Sequence, residues 1–246
     1  MKNFVINLNR QPEKYESFLQ LNAGTKIAFE RFEASDGASL SPKDVVEMKL
    51  VAPGAKLTPG AVGCAASHFR IWVQTVESGV PALVFEDVVI IRDDIKERLD
   101  SLLPTLEDWD YITLGYNTDS ILDLELVPGM TSRMMFLPKY PNGENAASFQ
   151  KSTAQVAAMR LNNCFGTPGY VVSPEGARKL LKLCFPMDNR TFPVPALNRT
   201  LPAVGVDGMM NTIYSSIQAF ACFAPLVVPK NDHATSTVQT GVLHDW

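Results

Sequence analysis

The sequence predicts an α/β protein whose mixed, mostly parallel sheet is covered by helices. Short apolar segments alternate with helical segments through the first half of the chain, which is typical of a helix-covered parallel sheet. The segment 82–85 is an unbroken apolar run, as expected for a strand buried on both faces. That run ends at two adjacent carboxylates, Glu86 and Asp87. Such sheets bind ligands beyond the carboxyl ends of their strands, so these acids mark either a ligand site or a solvated turn.

The remaining elements follow in order along the chain. The predicted strands are 3–8, 27–32, 82–86, 109–114, 167–172 and 220–228. The predicted helices are 12–22, 41–48, 58–78, a helix after Asp94 that ends near 103, 177–183 and 206–217.

Local signals set several of these boundaries. Pro12 lies near the first turn of its helix, and Ser173 and Pro174 have the N-cap and N1 preferences of the helix that follows them. The dipeptide Asp36-Gly37 predicts a turn after the second strand. Asp93-Asp94 predicts a capped helix start, because acids suit the positive end of a helix.

We predict a single domain over residues 1–246 with one long irregular segment, 117–160. That segment is rich in Pro, Gly, Asn and Met, and a stretch of this kind inside a compact domain is typical of a functional loop or lid. Its apolar cluster 130–136 forms either an acceptor surface or a packing face. The proline-rich segment 186–205 is predicted to be a loop.

Composition excludes several classes of protein. The formal net charge of −4 argues against a nucleic-acid binder, which normally carries a basic face. The apolar run at the N-terminus is too short for a secretory signal, and no stretch approaches the length of a membrane span. The widely spaced cysteines predict neither a zinc site nor disulfides, so we expect a cytoplasmic protein. Motifs of the GxGxxG, P-loop and GxSxG types are absent.

Five short blocks occur in order between residues 3 and 210. They are Val5-Ile6-Asn7-Leu8-Asn9-Arg10, 32–37 (FEASDG), 57–68 (LTPGAVGCAASH), 82–87 (ALVFED) and 166–177 (GTPGYVVSPEGA). Each block alone is weak evidence, but the ordered set resembles glycosyltransferase family 25, which includes bacterial lipooligosaccharide galactosyltransferases and collagen galactosyltransferases. Segment 117–160 matches no block of this family.

The resemblance implies a GT-A type, Rossmann-like domain that binds a nucleotide-sugar and transfers the sugar with inversion. The donor diphosphate gains negative charge as the glycosidic bond breaks, and a cation held by carboxylates or basic side chains stabilises that charge. The acceptor hydroxyl must also lose a proton to a carboxylate or a histidine. The implied donor is a UDP-hexose, with UDP-galactose favoured, and the implied acceptor is a saccharide or glycolipid.

Transferred residue by residue, the resemblance places a set of nucleotide-sugar-binding residues on this chain. They are Asn7, Leu8, Arg10, Asp36, Gly37, Ser67, His68, Glu86 and Asp87. Arg10 either pairs with a phosphate or is a surface charge at a helix start. Asp36 and Gly37 either contact the base or ribose or form a plain turn. His68 is either a binding residue or a hydrogen-bonded structural histidine.

The acidic pair departs from the usual Glu-Asp-Asp pattern of the family, because Val88 occupies the third position. A Mn²⁺ or Mg²⁺ ion is therefore in doubt. The predicted metal ligands are Asp87 and His233, although His233 also fits a plain tail residue. The predicted catalytic residues are Asp87 and Asp207, with Asp207 as the general base or acceptor-orienting group; the alternative for Asp207 is an acid at a helix start.

Three functional hypotheses follow. The first is a hexosyltransferase whose contact with membranes is peripheral. The second is a non-catalytic nucleotide-sugar-binding or interaction module, and Val88 motivates it. The third is a transferase acting on a nucleic-acid or protein hydroxyl, and the acidic charge balance counts against nucleic acid.

Overall fold

The computed structural model of the protein describes residues 1–136, 141, 144–230 and 243–246. The strands are β1 (Lys2–Asn7), β2 (Glu30–Glu33), β3 (Lys56–Leu57), β4 (Ala82–Glu86), β5 (Val89–Ile91), β6 (Tyr111–Thr113), β7 (Ile121–Val127), β8 (Met130–Met135), β9 (Ala157–Asn163), β10 (Gly169–Val172), β11 (Thr191–Val194), β12 (Arg199–Pro202), β13 (Ala219–Phe223), β14 (Val227–Pro229) and β15 (His244–Asp245). The helices are α1 (Pro12–Leu21), α2 (Pro42–Glu47), α3 (Pro59–Ser78), α4 (Ile95–Leu102), α5 (Glu144–Gln150), α6 (Pro174–Cys184) and α7 (Val206–Asn211).

A nine-stranded sheet with the order β2-β1-β4-β10-β6-β13-β9-β7-β8 forms the centre of the fold. The predicted α/β class and mixed sheet are confirmed, but the prediction that the sheet is mostly parallel is wrong. Only β1 with β2, β1 with β4, and β6 with β13 are parallel pairs; the other neighbouring pairs are antiparallel. The reason is that β10 enters between β4 and β6 in the opposite direction, and the β7–β9 strands extend the sheet as antiparallel neighbours.

The expectation of an irregular segment over 117–160 is wrong for its described part. Strands β7 and β8 form a hairpin, and β9 pairs with β7 and β13. Leucines alternate with acids along β7, which is a strand signal, but the Pro, Gly and Asn content of the whole segment outweighed it in the prediction. Asp123, in the middle of β7, is buried beside Arg133. A role as a lid stays a prediction, as does the single domain.

Other sequence-based boundaries also change. The predicted loop 186–205 contains the hairpin of β11 and β12. The predicted helix 206–217 ends at Asn211, and the predicted strand 220–228 is two strands that pair with different partners. Asp94 does not cap α4 with its side chain; it pairs with Arg92 and Arg98 instead.

Helix α3 packs its buried face against the sheet and against α6. Its start follows the capping rules, because the Thr58 hydroxyl accepts a hydrogen bond from the N–H of Ala61 and Pro59 occupies the first turn. The helix ends at Ser78, and Gly79 follows as the C-cap with a left-handed φ of 65°, which favours glycine. Fully buried Trp72 lies on the packed face. Within the part of the chain that the structure describes, no helix combines the length and apolarity needed to cross a membrane.

The strand directions bring four chain segments to one edge of the sheet. β1, β2, β4 and β6 run the same way, and β10 runs against β4 and β6. The ends of β1 and β4, the loop after β2 and the loop before β10 therefore share this edge. The edge carries Asn7, Asp36, Glu86, Asp87 and Thr167, and we call it the acidic edge.

Candidate functional site

Asp87 is held at the acidic edge by the end of the neighbouring strand. The side-chain N–H of buried Asn7 donates to Asp87 Oδ2 at 2.5 Å. The oxygen of the same amide also has partners, because Asn7 Oδ1 accepts two hydrogen bonds from Arg31 at 2.8 and 2.5 Å. Burial raises the pKa of Asp87, while the Asn7 hydrogen bond and the charges of Lys14 and Lys230 act in the opposite direction. Asn7 therefore orients the carboxylate, and the charges of Lys14 and Lys230 favour its ionised form.

Glu86 is held by the loop before β10. The Thr167 hydroxyl donates to Glu86 Oε1 at 2.9 Å. Burial raises the pKa of Glu86 to about 7; the hydrogen bond from Thr167 opposes this, and the charges of Asp87 and Asp207 add to it. Glu86 is consequently a carboxyl that changes charge close to neutral pH.

Asp207 is tied to the same loop from the other side. Its Oδ2 accepts a hydrogen bond from the backbone N–H of Gly166 at 3.0 Å, and its Oδ1 accepts one from Gly208 at 2.8 Å. Gly166 has a φ of 80°, a left-handed conformation that disfavours other residues. Residues 166–167 thus connect Asp207 to Glu86. The structure brings together the two acids that are 121 positions apart in the sequence.

The loop after β2 contains Asp36, which forms an ion pair with Arg10. Arg10 Nε donates to Asp36 Oδ2 at 2.7 Å, and this bond lowers the pKa of Asp36. Asp36 also caps the short helical turn 37–39 through the N–H of Ala38. Gly37 is buried against α3, where an added Cβ would overlap the Pro59 carbonyl. The turn alternative predicted for Asp36 and Gly37 is therefore present, and ligand binding by Arg10, Asp36, Gly37 and half-buried Leu8 stays a prediction.

Ser67 and His68 lie behind the acidic edge. The Ser67 hydroxyl donates to the Gly63 carbonyl at 2.8 Å and accepts from the N–H of Ser35 at 2.9 Å, so it fastens the β2 loop to α3. His68 is 1 % exposed, and burial lowers its pKa to about 4. Its ring nitrogens face Tyr170 and Thr167. Direct binding of a ligand by these two side chains stays a prediction; the contacts give both of them structural partners.

The predicted metal ligands are only partly covered by the structure. Asp87 is at the acidic edge, whereas His233 lies outside the described residues. Val88 offers no side-chain ligand, and its carbonyl accepts the backbone N–H of Lys230 at 2.8 Å. Across the described ranges, no group of three or more His, Cys, Asp or Glu side chains is arranged to hold a metal ion. Binding of Mn²⁺ or Mg²⁺ by Asp87 stays a prediction.

Sequence reasoning missed Arg31, Thr167 and Lys230 at this edge. Thr167 lies in the 166–177 block, next to Gly166. Its place in that block was the available signal, but no role was assigned to its hydroxyl. Arg31 and Lys230 carried no signal, because only the strand order places them near Asn7 and Asp87. Cys64, on α3, also belongs to this region: burial, with Glu86 and Asp207 nearby, raises the pKa of its thiol.

Comparison with known proteins identifies relatives of this chain. Residues 1–194 match the family model described as glycosyltransferase family 25 (LPS biosynthesis protein). Procollagen galactosyltransferase 1-B of Xenopus laevis is 30 % identical over 192 residues, which cover 72 % of this chain and 27 % of the relative. The probable inactive glycosyltransferase 25 family member 3 of Bos taurus is 31 % identical over 191 residues, covering 72 % of this chain and 28 % of the relative.

The chain thus spans little more than a quarter of the length of these curated relatives. Among solved structures, A197 from STIV aligns over 95 % of this chain and 96 % of its own, at 10 % identity and a TM-score of 0.37. That structural likeness is too low to support an inference.

Proposed function

Because the chain belongs to glycosyltransferase family 25, we propose that it transfers a hexose from a nucleotide-sugar to an acceptor hydroxyl with inversion. The proposed donor is UDP-galactose, and the proposed acceptor is a saccharide of the lipooligosaccharide type. Galactose is favoured because several similar proteins are named procollagen galactosyltransferases. We further propose a GT-A type arrangement, supported by the parallel strands β2, β1 and β4 with acids at their carboxyl ends.

One observation supports this proposal most strongly: the loop 166–167 connects Glu86 to Asp207, and Asn7 orients Asp87 beside them. Oriented carboxylates at the carboxyl ends of parallel strands suit the hydroxyls of a sugar or ribose. Two lysines, Lys14 and Lys230, lie close enough to Asp87 for their charges to oppose the rise in its pKa that burial causes. Their positive charge suits a diphosphate.

In the proposed reaction Asp207 accepts the proton of the acceptor hydroxyl. The acceptor oxygen then forms its bond to the anomeric carbon from the face opposite UDP, while the bond from that carbon to the diphosphate oxygen breaks and UDP leaves. Glu86 and Asp87 hold the donor, and Lys14 and Lys230 stabilise the charge that develops on the diphosphate. A divalent cation, if Asp87 binds one, would add to this stabilisation of the diphosphate.

A transfer assay tests the proposal. The purified chain is incubated with labelled UDP-hexoses and a panel of saccharide acceptors, with either MnCl₂ or EDTA. We expect galactose transfer from UDP-galactose that Asp207→Asn reduces by at least about 100-fold. Asp100→Asn, an exposed acid on α4, is the matched control and should keep the full rate. Full activity in Asp207→Asn would remove Asp207 from the mechanism, and loss of transfer in EDTA would support a metal at Asp87.

A second candidate function is nucleotide-sugar binding without turnover. Val88 supports it, because the family pattern has an acid there, and some similar proteins are named inactive or probable inactive family members. Binding of UDP-galactose without transfer or hydrolysis under every metal condition would favour this candidate. Transfer at any rate that depends on Asp207 would exclude it.

A further inference from the structure

A line of buried polar side chains runs from the protein interior to Glu86. Trp72 Nε1 donates to the Tyr170 hydroxyl oxygen at 3.1 Å, and that oxygen is 2.8 Å from His68 Nδ1. His68 Nε2 lies 3.4 Å from Thr167 Oγ1, and Thr167 donates to Glu86 Oε1 at 2.9 Å. Trp72, Tyr170, His68 and Thr167 are all buried. We call this line the buried relay.

One tautomer of neutral His68 gives every donor in this line an acceptor. The indole N–H of Trp72 can only donate, so the Tyr170 oxygen accepts it and the Tyr170 proton is available for His68 Nδ1. Because burial keeps His68 neutral at pH 7, its other nitrogen, Nε2, carries the ring proton and points it at Thr167. The Thr167 hydroxyl accepts this contact and gives its own proton to Glu86. In this tautomer every polar hydrogen of the buried relay points towards the acidic edge.

Glu86 needs such support because its surroundings repel its charge. Asp87 follows it directly, and Asp207 is close enough to raise its pKa. These like charges disfavour the ionised form of Glu86, and the hydrogen bond from Thr167 stabilises it. The Thr167 hydroxyl in turn contacts the His68 ring, and that ring packs against Trp72 and Tyr170.

We propose that His68 is a positioning residue that acts through Thr167 to hold the Glu86 carboxylate in the orientation that binds the nucleotide-sugar, without touching the substrate itself. This inference rests on the proposed function, in which Glu86 contacts the donor. It assigns roles to Thr167 and His68 that differ from direct binding.

Calorimetric titration with UDP-galactose tests the inference without requiring turnover. Thr167→Val keeps the shape of the side chain but removes the donor to Glu86, and we expect the dissociation constant to rise about tenfold or more. Thr167→Ser restores the hydroxyl and should recover most of the affinity. Thr75→Val is the matched control, because Thr75 is equally buried and its hydroxyl bonds only the Ile71 carbonyl of its own helix among the contacts described.

A double-mutant cycle tests whether His68 acts through Thr167. His68→Phe should weaken UDP-galactose binding in the wild-type background and have no further effect in Thr167→Val. A purely structural role would lower the melting temperature and leave the dissociation constant of folded protein unchanged. Equal affinities for wild type and Thr167→Val would overturn the positioning role while leaving the proposed function intact. Failure of the wild type to bind any UDP-hexose would overturn both.

Discussion

Replacing Glu86 by glutamine should remove a pH dependence of stability that the buried carboxyl imposes. Burial raises the pKa of Glu86 from 4.5 to about 7 in the folded protein. The folded state therefore binds more protons than the unfolded state between these two pH values. The stability contributed by protonated Glu86 is fully present below about pH 4.5 and is lost as the pH rises through 7.

The size of the effect follows from the two pKa values. A difference from 4.5 to about 7 corresponds to about 3 kcal/mol at most. Glu86 is only half-buried by its exposed surface, and water screens such a group. We therefore expect the stabilisation lost between pH 5 and pH 8 to be about 1–2 kcal/mol. Glutamine keeps the side-chain shape and an oxygen for the Thr167 hydroxyl but does not titrate.

Urea unfolding at pH 5, 6, 7 and 8 measures this directly, as the difference in unfolding free energy between wild type and Glu86→Gln at each pH. Other groups titrate in both proteins and cancel in that difference. Glu86→Gln should be relatively more stable at pH 8 than at pH 5. Glu16→Gln, an exposed acid on α1, is the control and should follow the wild type. Parallel curves for wild type and Glu86→Gln would refute the raised pKa.

The remaining predictions concern stability and donor binding. Gly37→Ala should destabilise the fold by about 3 kcal/mol or more, because the new Cβ overlaps the backbone of Pro59; urea unfolding measures this, and a change below 1 kcal/mol would contradict the close packing. Asp110→Ala should cost about 2–3 kcal/mol, because it removes the charge-assisted hydrogen bonds that buried Asp110 accepts from the partly exposed ammonium of Lys179 and from the backbone N–H of Gln218. Asp100→Ala, which breaks an exposed pair, should cost less than about 1 kcal/mol, and similar costs for the two would contradict the difference in burial.

Local signals predicted the elements that carry their own start and stop residues. Helices α3 and α6 begin where Thr58 and Ser173 cap them. Strand β4 is recognisable because residues 82–85 are an unbroken apolar run, and all four are buried in the structure. Strand β7 was missed because the Pro, Gly and Asn content of segment 117–160 was given more weight than the alternation of leucines and acids along the strand. Buried Asp123 gains its partner, Arg133, only through the hairpin. The direction of β10 was also out of reach, since strand order depends on long-range packing and not on local residue types.

The acidic edge was predictable in its acids but not in their supports. Glu86 and Asp87 stand at the end of an obvious strand, so their position follows from the general location of ligand sites in such sheets. The donors that orient them, Thr167 and Asn7, lie 81 and 80 residues away along the chain. The resemblance placed Asn7 in the same site as the acids, but nothing in the sequence shows which side chains bond to each other over that separation. The resemblance places His68 among the binding residues, whereas its buried contacts underlie the proposed indirect role.

A crystal structure of the protein grown with UDP and MnCl₂ locates the donor directly. We expect the diphosphate to lie at the acidic edge, with its oxygens facing Lys14 or Lys230 and with Glu86 and Asp87 within hydrogen-bonding reach of the nucleotide or of a bound cation. UDP on another face of the sheet, with the acidic edge free of nucleotide, would contradict the assignment of this edge as the donor site.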